Sequence, residues 1–297
     1  MKTIQPKDLS TQELQVLLQG AVAPRPIAFV SSISEGGDVN LSPFSFFNLF
    51  SANPPILVFS PTRRIRDKSN KHTLENVLEV PEVVIHVVGY DLVEQMSLAS
   101  TEYAKGVNEF VKAGLTAVPS NLVAPSRVKE APVAFECKVL QVVPLGDQGG
   151  AGNLVICEVL QIHLEERILD DSGAISPLKL DPVARLGGNW YTKITDDSLF
   201  QIPKPLTKLG IGVDQIPKEI RFSPILTGNN LGRLANVEQL PGSEEVALFA
   251  AREDLEDIRR RFQLDAESWT DHLHRWAKEE LEAGNVDLAW KILLQKI

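Results

Sequence analysis

Ile27-Ala28-Phe29-Val30-Ser31-Ser32-Ile33 is a short run of β-branched and aromatic residues, and Glu35-Gly36-Gly37-Asp38 stops it soon after. That is the pattern of a strand running into a hairpin turn. The same texture returns at 56–60, 83–88, 134–143 and 154–164. The last two runs are joined by a looser turn carrying Gly146, Gly149, Gly150 and Gly152. Helical pieces fall between the runs, at roughly 73–78, 91–99 and 108–113. The connections lack a regular βαβ rhythm, so the pattern predicts a mainly β protein: an antiparallel barrel with helical insertions.

Upstream, Ser10-Thr11-Gln12-Glu13 has capping-box spacing, and Leu14, Leu17 and Leu18 follow at helical intervals. Downstream the texture changes after about Ile194. Residues 199–242 are Pro-containing and weakly periodic, which predicts an extended wrapping segment. A helical tail follows. Leu248, Ala251, Leu255, Ile258 and Phe262 form one apolar stripe; Trp269, Leu273, Trp276 and Leu281 form another. Asp265 starts the second, Gly284 stops it, and Asn285 is placed to cap a last short helix. The stripes predict a helical hairpin packed on the barrel or on a partner subunit, closed by Trp290 and Leu294, and not an independent domain. The expected division is 1–195 for the barrel and 196–297 for the extension.

Composition narrows the function classes. The chain has 297 residues, 43% of them apolar and 23% charged, the balance of a protein with a real core. Thirty Lys and Arg against 39 Asp and Glu give a net charge of −9, without a basic face. Nucleic acid and anionic membrane are therefore not the expected partners. Two Cys outside any metal or Cys-x-x-Cys spacing, no apolar leader and no long apolar run predict a cytoplasmic protein.

Absent motifs are informative too. There is no P-loop, no G-x-G-x-x-G between strand and helix, and no nucleophile elbow. Gly149-Gly150-Ala151-Gly152 joins two strands and reads as a turn. The five His predict no metal site: His272 and His274 are two apart on a helix. His86 lies in an apolar strand and reads as structural. His163 ends a long strand, where pocket and surface roles stand level. Cys137 and Cys157 read as small core residues.

Two constellations carry chemistry. Ser60-Pro61-Thr62-Arg63-Arg64, followed by Lys71-His72-Thr73 at a helix start, offers hydroxyls, guanidinium groups, an ammonium and free N–H groups. These make a phosphate cradle, or equally a solvated basic loop with Thr73 as N-cap. Asn40-Leu41-Ser42-Pro43-Phe44-Ser45-Phe46-Phe47-Asn48, leading to Ser51-Ala52-Asn53-Pro54-Pro55, sets Phe side chains among small polar residues. That suits a flat heterocycle, although a strand with core Phe residues also accounts for it.

In this order the segments resemble the flavin reductase-like family of FMN-binding split-barrel proteins, the flavoredoxin relatives. The resemblance rests on 23–33 (Ala23-Pro24-Arg25-Pro26 onward), 40–48, Asn53-Pro54-Pro55 and Lys71-His72-Thr73-Leu74-Glu75-Asn76. It continues through Glu102-Tyr103-Ala104-Lys105-Gly106, 107–110, Ala113-Gly114-Leu115-Thr116, 127–133 and Arg185-Leu186-Gly187-Gly188. It covers roughly residues 1–195. Many relatives have Asp where this chain has His72.

The resemblance implies a six-stranded split β-barrel that forms a homodimer with FMN at the subunit interface. It implies that Ser45, Phe46, Phe47 and Asn48 line the isoalloxazine, and that Ser60, Arg63, Lys71 and Thr73 hold the phosphate. The expected activity is NAD(P)H-dependent flavin reduction, with NADH or NADPH delivering hydride to flavin N5. His163 and Tyr103 are the side chains to test at the open face of the ring. The alternative is a non-catalytic FMN carrier or redox-sensing module whose tail binds a partner protein; a fold without flavin is a third.

Overall fold

The computed structural model describes residues 1–203, 209–261 and 266–295. These divide into two compact units, Met1–Phe200 and Gln201–Ile297.

The first unit opens with α1 (Thr11–Ala21), whose capping box forms as the spacing predicts: the Glu13 N–H donates to Ser10 Oγ, and the Ser10 N–H donates to Glu13 Oε2. Then come β1 (Ala28–Ile33), β2 (Val39–Phe44), β3 (Phe47–Ala52) and β4 (Pro55–Phe59). Helix α2 (His72–Glu79), β5 (Glu82–Val87), α3 (Val93–Ala99) and α4 (Glu109–Ala113) follow. A small ribbon, β6 (Ala117–Val118) with β7 (Arg127–Val128), precedes the long hairpin of β8 (Val133–Pro144) and β9 (Asn153–Leu164). Helix α5 (Pro177–Leu180) and a second ribbon, β10 (Val183–Arg185) with β11 (Tyr191–Lys193), complete the unit.

One antiparallel sheet organises it, in the order β2-β1-β5-β8-β9-β4-β3. Seven strands replace the six implied by the resemblance, because Ser45-Phe46 breaks the 40–48 segment into two strands. That break decides the shape. β2 and β3 are the opposite edges of the sheet, yet only two residues separate Phe44 from Phe47, a reach of about 10 Å at most. A flat seven-stranded sheet would hold its edges much farther apart. The sheet is therefore rolled until its edges nearly meet, and the fold is a split β-barrel.

Both faces of β1 are buried. Ala28, Val30, Phe44, Phe59, Ile85, Val155, Cys137 and Cys157 pack on one face with Leu74 and Val77 of α2. Ile27, Phe29 and Leu41 pack on the other with Met96 of α3 and Phe110 of α4. Both cysteines are core residues as expected; burial pushes the Cys137 thiol up to about 12.

The second unit is helical: α6 (Lys218–Arg221), α7 (Gly228–Ala235), α8 (Ser243–Ala250), α9 (Glu253–Arg261), α10 (Ala266–Glu282) and α11 (Val286–Leu293). The 199–242 segment is thus not simply extended. Ile220 of α6 and Leu234 of α7 enter a core with Leu255, Trp269, Leu273, Leu281 and Trp290. Thr227 and Asn230 form a capping box that the Pro spacing obscures. The first stripe is broken as well. α8 ends at Ala250, so Phe249 is buried and Leu248 exposed. Phe262 and Asp265 lie outside the described residues. Asn285 is at the N-cap of α11, but its side chain donates to Glu280 instead of capping. No described helix is long and apolar enough to cross a membrane.

Candidate functional site

The basic loop that follows β4 gathers its cations around one carboxylate. Arg64 is clamped by its own loop, its Nη1 donating to Ser69 Oγ at 3.0 Å and to the Asn70 carbonyl. Its Nε reaches Glu102 Oε1 at 3.2 Å. Lys71 Nζ lies 3.5 Å from the same oxygen, and Arg66 Nη2 is 3.8 Å from Glu102 Oε2. Three cations thus converge on one carboxylate. The Arg64 hydrogen bond, with the Lys71 charge behind it, holds the Glu102 carboxyl below its usual range. Arg63 donates through Nη1 to the Lys68 carbonyl at 3.2 Å, but its Nε is buried without a hydrogen-bond partner. Lys71 is the N-cap of α2, and no side chain caps that helix. The helix dipole and its first N–H groups add to the positive field.

Thr73 is placed differently from the sequence expectation. It is the second residue of α2, not its N-cap, and it is buried. Its hydroxyl donates to Asn40 Oδ1 at 2.5 Å; Asn40 Nδ2 donates to Glu109 Oε1 at 2.9 Å, and the Leu41 N–H to Glu109 Oε2 at 3.0 Å. This buried chain ties the start of α2 to β2 and α4. Burial raises the Glu109 carboxyl, against the pull of these donors. The Thr73 hydroxyl therefore anchors the helix, and what Thr73 has left to offer a ligand at the helix start is its first-turn backbone N–H.

The Gly-rich turn joining β8 to β9 supports the cluster from the other side. The Arg63 N–H donates to the Ala151 carbonyl at 2.8 Å, the Gly150 N–H to the Arg63 carbonyl at 2.9 Å, and the Asn153 N–H to the Pro61 carbonyl at 3.1 Å. Contact is too close for side chains: a Cβ at Gly149 would lie 2.8 Å from Ile65 backbone atoms, and one at Gly152 would lie 2.6 Å from Ser60 Oγ. Ser60 is buried between this turn and the barrel seam, its N–H donating to the Phe46 carbonyl at 2.8 Å.

The seam carries the second predicted constellation. Ser45 and Phe46 form the link between the two sheet edges, and Phe47 and Asn48 open β3. Phe46 is partly exposed. It lines a largely apolar cavity of about 330 Å³ with Thr62, Gly150, Leu14 and Leu18 of α1, and Val22 and Arg25 of the link between α1 and β1. Arg25 fixes that helix by donating to the carbonyls of Gln19, Val22 and Leu186. Thr62, which precedes Arg63 in the chain, and Gly150, whose N–H donates to the Arg63 carbonyl, both line the apolar slot, so the fold brings the two constellations together.

His163 is not brought to them. Ten residues of β9, about 33 Å of strand, separate it from Asn153 at the cradle end. Its Nε2 is 2.7 Å from Glu136 Oε1, and it lines a separate groove with Arg127 and Lys129. Burial works to raise the Glu136 carboxyl, but hydrogen bonds from Asn121, Leu122 and His163 outweigh it and hold it low. Tyr103 does lie near the cradle in sequence, next to Glu102, with Lys112 Nζ 5.6 Å from its ring centre. His86 is structural, as its strand context predicts: it is fully buried between the Phe29 carbonyl and the Val128 N–H. Among the described residues no His, Cys, Asp and Glu side chains group as metal ligands would.

A barrel split at this seam, with a cationic loop beside it, is matched by a family described as the flavin reductase like domain, over residues 21–179. The chain belongs to the flavin reductase-like family. An uncharacterized protein of Aquifex aeolicus is 41% identical over 63% of this chain and 93% of its own length. Among solved structures, nitrilotriacetate monooxygenase component B from Bacillus cereus is similar, with a TM-score of 0.64 and 31% identity. It covers 68% of this chain and 98% of its own. The 2-nitrobenzoate 2-nitroreductase of Pseudomonas fluorescens has a TM-score of 0.59 and 28% identity, over 70% of this chain and all of its own. In this flavin reductase-like chain roughly a third of the residues thus lie outside each match.

The contacts of Glu102, Glu109 and the glycine turn are not legible in the sequence. Glu102 and Glu109 fall in stretches that carry the family resemblance, but they are distant in sequence from the residues they touch, so no local pattern gives their partners. The glycines at 149 and 152 do carry a local signal, since a dense Gly run marks close backbone approach as well as a turn.

Proposed function

We propose that the chain binds FMN, with its phosphate in the cluster and its ring in the Phe46 slot, and works as a homodimeric NAD(P)H-dependent flavin reductase. The observation that carries this reading is the cluster itself: three cations share one carboxylate beside an uncapped helix start and an unpartnered Arg63 Nε. Those are deficits of negative charge and of hydrogen-bond acceptors, and a phosphate dianion supplies both. The residues fit the group. Ser60, Arg63, Lys71 and the Thr73 N–H would hold the phosphate; Ser45, Phe46, Phe47 and Asn48 would border the ring.

FMN bound there would supply two-electron redox chemistry at N5, the position to which a nicotinamide nucleotide would deliver hydride. The chain's own contribution is position and environment. The Thr73–Asn40–Glu109 chain holds the start of α2 in place, and the glycine turn sets the depth of the cradle. The apolar side chains of α1 exclude water from the slot. Membership of the family supports an oxidoreductase, as do the monooxygenase component and the nitroreductase among its structural neighbours.

A homodimer is supported by apolar side chains left exposed on strands of the one sheet: Leu140 on β8 and Leu160, Ile162 and Leu164 on the neighbouring β9, with Leu49 and Phe50 on the edge strand β3. Such a patch on a sheet calls for a second copy. The activity is tested by mixing FMN-loaded protein anaerobically with NADH and with NADPH. Catalytic bleaching of the flavin band with at least one donor is expected. No bleaching with either would refute the reductase and favour a carrier.

A further inference from the structure

Glu102 is not on the loop it neutralises. It projects from the 100–108 connection between α3 and α4, and it meets the cations of 64–71 from outside. Its carboxylate takes Arg64 Nε at 3.2 Å, Lys71 Nζ at 3.5 Å and Arg66 Nη2 at 3.8 Å, and its side chain is about half exposed (49%). Arg64 is independently fixed by Ser69 and Asn70, so the cationic surface would persist without the carboxylate. We propose that Glu102 is a built-in counter-anion of the phosphate site, holding the cations together in the free protein and competing with a phosphate monoester for them. This rests on reading the cluster as the FMN phosphate site.

The physical argument is one of balance. A half-exposed ion pair adds little stability, so releasing Glu102 is easy. A phosphate carries nearly two charges and three acceptor oxygens, so it outcompetes a single carboxylate for the same donors. Both oxyanions cannot occupy the same few ångströms without repulsion. Glu102 therefore lowers the affinity for phosphate and spares the affinity for the ring, which makes the cofactor exchangeable.

The test compares FMN, riboflavin and inorganic phosphate by calorimetric titration of the full chain, in the wild type and in Glu102→Gln. Glutamine keeps the size and removes the charge. The expected result is FMN and inorganic phosphate binding about tenfold tighter to the variant, with riboflavin within twofold. In a Lys71→Ala background the gain from Glu102→Gln should shrink, because the shared cation is gone. Unchanged or weaker FMN binding by Glu102→Gln would overturn the inference, since Glu102 would then be neutral to the phosphate or help to hold it. The underlying reading fails differently: wild-type protein would show no preference for FMN over riboflavin, and the inference would fall with it.

Discussion

His86 illustrates how one buried residue sets a pH limit on the barrel. The Val128 N–H donates to its Nε2 at 2.9 Å, so the ring proton is on Nδ1, which donates to the Phe29 carbonyl at 2.8 Å. Both nitrogens are used, and a second proton would cost the Val128 bond. Burial pushes the imidazole down from 6.5 to about 4. Above pH 6.5 neither the folded nor the unfolded form is charged. Below it the unfolded chain takes up a proton that the folded chain refuses until about pH 4, so stability falls through that window, by about 3 kcal/mol in all. Denaturant midpoints between pH 7 and 4.5 should show this slope in wild type. His86→Gln should be less stable at pH 7 and flatter across the window. His274, also lowered by burial, acts with the same sign in the second unit, so the difference between wild type and variant is the quantity to read. Equal slopes would remove His86 from the account.

The glycine turn between β8 and β9 makes the corresponding argument for an element. At Gly149 an added Cβ would meet backbone atoms of Ile65, which cannot rotate away. Gly149→Ala should destabilise the barrel by about 1–3 kcal/mol and weaken FMN by opening the cradle. At Gly152 the obstacle is the Ser60 hydroxyl, which can turn, so Gly152→Ala should cost less stability while still displacing Ser60. Thermal melts and FMN titrations of both variants check the contrast; two equally stable proteins with wild-type affinity would show that the close approach is unimportant. These elements also mark what was legible beforehand. The strands at 27–33, 134–143 and 154–164 and the cap of α1 follow from local pattern. The role of Thr73 does not, because its partner Asn40 is 33 residues away, and the Glu109 that holds Asn40 is 69 residues from Asn40. Nor does the closure of the barrel, which depends on which strands become edges.

At the scale of the molecule, the core of the second unit is built wholly from residues within 211–294. The second apolar stripe, and Leu255 and Ile258 of the first, pack in the core of their own unit, where the Trp290 Nε1–H also donates to the Leu234 carbonyl at 3.1 Å. Residues 1–200 alone should accordingly remain folded, dimeric by light scattering and within a few degrees of the barrel's melting transition in the full chain. Aggregation or monomers of the truncated protein would show that the helical unit completes the barrel. FMN binding rests on the cationic cluster, and the most direct measurement is the affinity of Lys71→Ala for FMN and for riboflavin beside wild type. Loss of one charge-assisted contact, worth about 1.5–3 kcal/mol, should weaken FMN roughly 10- to 100-fold and leave riboflavin unchanged. Equal weakening of both ligands, or of neither, would contradict the assignment of the phosphate to this site.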